Sequence, residues 1–344
     1  MDTLFMMETQ KKDMPLDTVI AVARLWLAAG ENNQLELAAL EPTLWHDKHA
    51  DIADLVMTLK QLCVKDRIPI VSITSNGINL KQFIPRLKNA SVDKIRISWH
   101  TCNADIFAAI SGQNKYSVFK ESIDMAVKHK MNVSFNRLLL KNYISDLPQQ
   151  LEYIEKHQLS LKLYDLFWTH KIRNIYNSYY ISVNEVIQQY VEPVTTRIDT
   201  TKDLGGRTRT LYYLTGGGIV QTKDIDKTEK PSICHTCLYQ NACLEGYGDY
   251  LRIDTDLCAF PCYLRRDLGF SLQPYLQGSV FDIQNFKKKL DELFSDLDIQ
   301  KRTQVRLRYI LTPCCNCNCC FPGTDIQWCL KSDGGYRFAK RTNR

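Results

Sequence analysis

The sequence predicts an α/β fold, a partial (β/α) barrel of parallel strands with a cysteine-rich auxiliary region. Three observations predict it. Single amphipathic helices separate short apolar strands through the first two hundred residues. Strands joined this way pair in parallel, because parallel neighbours need crossover connections. Each strand also ends on small or polar residues, as strands do when their C-terminal rim carries a site. Finally, only Cys63 and Cys102 of the thirteen cysteines precede residue 234.

The elements follow in order. LDTVIAVARLWLAAG places apolar residues at helical spacing and stops on Gly30. QLELA reads as a strand, ADIADLVMTLKQLCV as a helix, and PIVSITSNG as a strand closed by Asn-Gly. LKQFIPRLKNA, VFKESIDMAVKHK and ISDLPQQLEYIEKHQ are helices; DKIRISWH, NVSFNRLLL and LSLKLYDLFW are strands. Beyond residue 170 the alternation weakens, and 200–280 is loop-rich with glycine runs at 205–206 and 216–218. FDIQNFKKKLDELFSDL is an amphipathic helix, and QVRLRYILT a strand that leads into TPCCNCNCCFPG. The expected divisions are a barrel core over 1–200, an auxiliary cysteine-rich region over 201–280, and 281–344 completing the barrel.

A chain of 344 residues with 44% hydrophobic content can bury a large core. It holds no apolar run of 18 residues and no signal-peptide pattern at its start, so the expectation is a cytoplasmic protein without a membrane span. Thiols stay reduced there, and clustered cysteines then favour metal over disulfides. The net charge of +6 is spread along the chain and is only a weak pointer to an anionic substrate or nucleic acid. No Ser-His-Asp arrangement or phosphate-binding Walker loop appears, so neither hydrolase nor P-loop chemistry has support. No reading helix or ribonucleoprotein motif speaks for nucleic acid.

The strand-end residues are the candidate site. QLELA runs into Ala39, Leu40, Glu41 and Pro42, PIVSITS into Ser75 and Asn76, KIRIS ends on Ser98, and NVSF reaches Asn136. Singly, each is an ordinary turn residue or helix cap. His46, His49 and His100 lie near strand ends and could carry protons, although a surface or core role is the ordinary one for each.

Taken in order, these residues resemble the radical S-adenosylmethionine (SAM) superfamily. Its Gly-Gly-Glu-Pro segment reads ALEP here, with Glu41 and Pro42 kept and both glycines replaced. FIPRLKNASVDKIRISWHT, the Ile-Ser-Gly at 110–112 and NVSFNRLLLKNYISDL are similar to the branch that contains the molybdenum-cofactor enzyme MoaA and the SPASM peptide-modifying enzymes. The resemblance implies that Ala39–Pro42, with Glu41, meet the SAM amino group. It implies that Ser75, Asn76, Ser98 and Asn136 contact ribose or adenine.

The cysteines extend the resemblance. Cys234, Cys237 and Cys243 have compact metal-ligand spacing, and the later Pro-Cys at Cys262 is similar to the last ligand of a MoaA-like auxiliary cluster. A [4Fe–4S] cluster or a four-cysteine zinc site suits such thiolates. Residues 1–35 lack the superfamily's C-x3-C-x2-C loop, but RLRYILTPCCNCNCC resembles its first strand and loop. A circular permutation is therefore expected, with Cys315, Cys319 and Cys320 as ligands of the SAM-binding [4Fe–4S] cluster. Pro322 stands where the third ligand belongs, so Cys314, Cys317 and Cys329 stay open as alternatives. What the resemblance implies is reductive SAM cleavage and hydrogen abstraction from an unidentified peptide, nucleotide or other small molecule. Electrons would come from an external flavodoxin- or ferredoxin-type donor. The alternative is a barrel without catalysis, using a structural iron–sulfur or zinc site to bind a partner.

Overall fold

The computed structural model describes residues 13–38, 41–168, 172–202, 206–224, 230–241, 243, 247–277, 281–312, 329–330 and 336–337. Among them, twelve strands form one sheet. In chain order these are β1 (Gln34–Ala38), β2 (Ile70–Ser75), β3 (Lys94–Ser98), β4 (Val133–Leu138), β5 (Ser160–Tyr164) and β6 (Thr195–Lys202). There follow β7 (Thr208–Leu214), β8 (Ile219–Asp224), β9 (Tyr250–Ile253), β10 (Cys258–Phe260), β11 (Phe270–Ser271) and β12 (Arg306–Ile310). Their order across the sheet is β11-β10-β9-β12-β1-β2-β3-β4-β5-β8-β7-β6.

The run from β9 to β8 is parallel throughout, and antiparallel strands finish both ends. The last strand in sequence, β12, pairs in parallel with the first, with Leu35 opposite Leu307 and Ala38 opposite Ile310. Arg207 and Arg209, from the β7 side, both bond Asp249 beside β9 at 2.6 and 3.2 Å. A flat sheet would hold those strands far apart at nearly 5 Å per strand, so the sheet curls into an open barrel.

Seven helices of six or more residues are described: α1 (Leu16–Ala28), α2 (Ile52–Lys60), α3 (Ile84–Asn89), α4 (Ala104–Ser111), α5 (Tyr116–Lys128), α6 (Leu147–Lys156) and α7 (Ile283–Leu293). In α1 the residues Val19, Val22, Ala23, Leu25, Trp26 and Leu27 are buried, and Gly30 ends the turn at φ +83°. Each large side chain buried this way contributes about 1.5–3 kcal/mol. Asp51 and Asp54 form a reciprocal N-terminal cap on α2, and Arg86 binds both carboxylates. The helix expected over 80–90 divides into a tight turn at Leu80–Gln82 and α3, with Pro85 in the first turn of α3. Proline lacks an N–H and is tolerated only there. Helix α4 escaped the periodicity reading; Asn103 caps it and Gly112 closes it at φ +66°.

Outward strand residues such as Leu35, Leu37, Ile95, Ile97, Leu161, Leu163, Leu307 and Tyr309 are buried and belong to one core cluster with the helices. Period-two alternation then turns Glu36, Lys94, Arg96, Ser134, Asn136, Lys162, Arg306 and Arg308 to the barrel interior.

Candidate active site

The rim is held by Glu41. Its buried carboxylate accepts hydrogen bonds from Thr43 N (3.1 Å), Thr43 Oγ1 (2.7 Å), Ser75 Oγ (2.8 Å) and Asn76 N (2.5 Å). Burial pushes its pKa up against these four donors. Glu41 thus ties the end of β1 to the end of β2 and shapes the backbone between them. Pro42 is buried in the short helical turn that Glu41 caps. Ala39 and Leu40 lie outside the described residues.

Asn76 closes the β2 turn by accepting a bond from Ile78 N (2.9 Å), and Gly77 follows at φ +81°. A Cβ on Gly77 would stand 2.9 Å from the Phe119 ring. Only glycine satisfies both the backbone angle and the space.

Ser98 and Asn136 lie opposite each other in the β3–β4 register. Asn136 O accepts from Trp99 N at 2.8 Å, while its buried Nδ2 has no partner among the described residues. Thr312 Oγ1, just beyond β12, is buried without a partner in the same way. Two orphaned polar atoms, one within β4 and one just beyond β12, fit a site built to meet a polar ligand, since buried groups are otherwise nearly always paired. Cys315, Cys319 and Cys320 lie outside the described residues, as do Cys314 and Cys317. Thr312, the last described residue before them, follows the strand that adjoins β1.

Arg137, next to Asn136, faces the other way. It is buried and binds Gln150 Oε1 (3.0 Å), Tyr143 O (2.8 Å) and Asp146 Oδ1 (2.6 Å). Asp146 in turn accepts from Thr101 Oγ1 and Cys102 N, which ties down the loop after β3. His100 is a core residue: its Nδ1 accepts from Leu138 N (3.1 Å), and burial, with Arg137 nearby, takes its pKa down to about 3. It is neutral at physiological pH. His46 and His49 are exposed.

Beneath the rim lies a chamber of about 250 Å³. Strand β3 contributes Lys94 and Arg96 to its lining, β5 Lys162, β7 Arg209, β8 Lys223, β9 Arg252, and β12 Arg306 and Arg308. Ser134, Asn136, Ser160, Gln221 and Tyr250 add neutral polar groups. The Arg306 and Arg308 guanidiniums lie 4.1 and 3.9 Å from the Tyr250 ring centre. Two carboxylates serve this cationic wall. Glu36 binds Arg96 and Arg308, and Asp249 binds Arg207 and Arg209. Burial raises both carboxyl pKa values, but the guanidiniums outweigh it and hold both well below the ordinary range. Lys94 shifts down, through burial and the charge of Arg96. Sequence reasoning missed the chamber, although basic residues two apart on strands (Lys94/Arg96, Arg207/Arg209, Arg306/Arg308) signal it.

The second cysteine set lies by the start of β9. Arg265 joins its two loops by donating to Thr236 Oγ1 (3.1 Å) and to Ile233 O, while Leu264 N donates to Cys262 Sγ (3.4 Å). Arg252, from the chamber wall, donates to Pro261 O at 2.7 Å. Among the described residues no three His, Cys, Asp or Glu side chains stand close enough to share one metal. Cys258 has a packing role: a Cβ on Gly269 would fall 2.8 Å from its sulfur.

Residues 6–149 match the model of the Radical SAM superfamily. A relative named probable GTP 3′,8-cyclase, from Methanococcus aeolicus, is 23% identical over 252 residues, covering 69% of this chain and 80% of that protein. Another of that name, from Saccharolobus solfataricus, is 32% identical over 152 residues, covering 42% of this chain and 46% of its own. Streptococcus suis SuiB, solved bound to S-adenosylmethionine, has a TM-score of 0.35 at 15% identity, covering 52% of this chain and 40% of that one. Among the described residues no helix is long and apolar enough to cross a membrane. Residues 6–149 carry a radical SAM domain, which marks the chain as an enzyme with a [4Fe–4S] cluster and S-adenosylmethionine as its cofactors.

Proposed function

We propose that this enzyme abstracts a hydrogen atom from a phosphorylated small molecule of the nucleotide class. The carrying observation is the chamber under the rim, lined by eight Lys and Arg side chains. Such a wall is costly to assemble without a counter-charge, and a polyanion supplies one. The relatives' printed name, GTP 3′,8-cyclase, points to the same ligand class.

When bound, the cluster and SAM supply a 5′-deoxyadenosyl radical. The chain's residues hold and orient the reactants. Glu41 fixes the Ser75–Asn76 turn, and Ser98 and Asn136 present polar groups to the SAM nucleoside. Arg306, Arg308, Lys94 and Lys162 bind the phosphates below, so the organic part of the substrate faces the rim. We assign Cys315, Cys319 and Cys320 to the SAM-binding cluster and read the chain as circularly permuted. The parallel pairing of Leu35–Ala38 with Leu307–Ile310 supports that reading. Cys234, Cys237, Cys243 and Cys262 are assigned to an auxiliary iron–sulfur or zinc site, and no step is routed through it. The protein works in a reducing cytoplasm with a flavodoxin- or ferredoxin-type donor.

The test is anaerobic reconstitution with iron and sulfide, iron counting, and dithionite-driven turnover. The expected results are 5′-deoxyadenosine and its stimulation by a purine nucleoside triphosphate. Protein that binds no iron, or binds it without cleaving SAM, would sink the proposal.

A further inference from the structure

Glu36 stands behind the chamber wall rather than in it. It is the central residue of β1, opposite Arg308 of β12 on one side and Ser72 of β2 on the other. Its side chain is 3% exposed. Oε1 accepts from Arg96 Nη1 and Thr74 Oγ1, both at 2.8 Å, and Oε2 accepts from Arg308 Nη2 at 3.0 Å. Arg96 and Arg308 both line the chamber. One carboxylate therefore fixes two of the groups that a substrate would meet.

The Arg96 and Arg308 guanidiniums, on β3 and β12 and drawn to one carboxylate, would repel each other without it. A neutral acceptor such as Gln would relieve none of that repulsion, whereas a carboxylate does. Glu36 also lowers the net positive charge of the chamber wall by one, at Arg96 and Arg308. An ionised carboxylate here repels each ligand charge, so it disfavours a triphosphate more than a monophosphate. Desolvation weakens screening at such a site, so the effect survives physiological salt.

We infer that Glu36 is a specificity-determining residue, which positions Arg96 and Arg308 and limits how many phosphate charges the chamber accepts. The inference rests on the phosphorylated-substrate reading above. It makes the charge count of the substrate a property of β1, a strand the ligand does not touch.

Isothermal calorimetry on the full-length reconstituted protein tests it, with inorganic orthophosphate and tripolyphosphate as probes. In Glu36→Gln the ratio of tripolyphosphate to orthophosphate affinity should rise about tenfold over wild type, one unit of charge acting on three phosphates. Glu36→Asp keeps the charge and should stay near the wild-type ratio. Because Glu36→Gln takes this carboxylate from both Arg96 and Arg308, Glu36 and Arg308 are also neutralised together. Arg308→Gln should lower the ratio, and Glu36→Gln/Arg308→Gln should restore it toward wild type. Equal loss for both probes in every variant would show a merely structural role and overturn the inference. So would a double variant no better than Arg308→Gln. Wild-type protein that binds neither probe would instead overturn the phosphorylated-substrate reading and the inference with it.

Discussion

Glu41 and His100 show how single residues at this rim act through structure. The Glu41 carboxylate takes four donors from two segments, and hydrogen bonds to a charged group are worth about 1.5–3 kcal/mol. Glu41→Ala should cost about 2–3 kcal/mol by urea denaturation and weaken SAM binding, because Ser75 and Asn76 lose their anchor. His100 sets a pH dependence. Its folded pKa, about 3, lies below the unfolded value of 6.5, so the unfolded chain binds the extra proton between these limits. Stability therefore falls as pH drops from 6.5 toward 3, by at most about 1.4 kcal/mol per unit. In His100→Asn, stability curves at pH 7 and 5 should lie closer together than in wild type. Equal separation would show that other groups carry the acid sensitivity.

At the scale of elements, strand ends and turns hold the site. Gly77→Ala meets both a positive φ and the Phe119 ring. It should destabilise the protein by more than about 1 kcal/mol, visible as a lower denaturation midpoint. Strand alternation accounts for the chamber. In β3 and β12 the outward Ile95, Ile97, Leu307 and Tyr309 join the core, so Lys94, Arg96, Arg306 and Arg308 must face inward. The basic pairs were written in the sequence two residues apart. Whether they shared one cavity was not, because their strands lie far apart in the chain and meet only when the sheet curls.

For the whole molecule, the position of β12 is decisive. It lies between β9 and β1, hydrogen-bonded to both. A chain ending at residue 303 would lose an interior strand and the buried Leu307, Tyr309 and Ile310. It should fail to show a cooperative thermal transition. A chain ending at Thr312 keeps that strand and should melt cooperatively by calorimetry, while losing the iron of the SAM-binding cluster on reconstitution. If the shorter chain folds as well as the longer, β12 is dispensable and the permutation reading falls.

The sequence by itself determined the alternation of helix and strand, the parallel sheet, and the places of Glu41, Ser75 and Ser98 at or just past strand ends; Asn136, read as a strand-end residue, lies within β4. These are local properties: hydrophobic period, turn chemistry, and a motif in one stretch of chain. Only the tertiary structure decided that Arg96 and Arg308 share Glu36, that Asp249 draws in Arg207 and Arg209, and that His100 and Cys258 are packing residues. Those facts depend on partners from separate strands and loops, 60 and 272 residues away for Arg96 and Arg308, and no periodicity within a strand records which other strand will lie beside it.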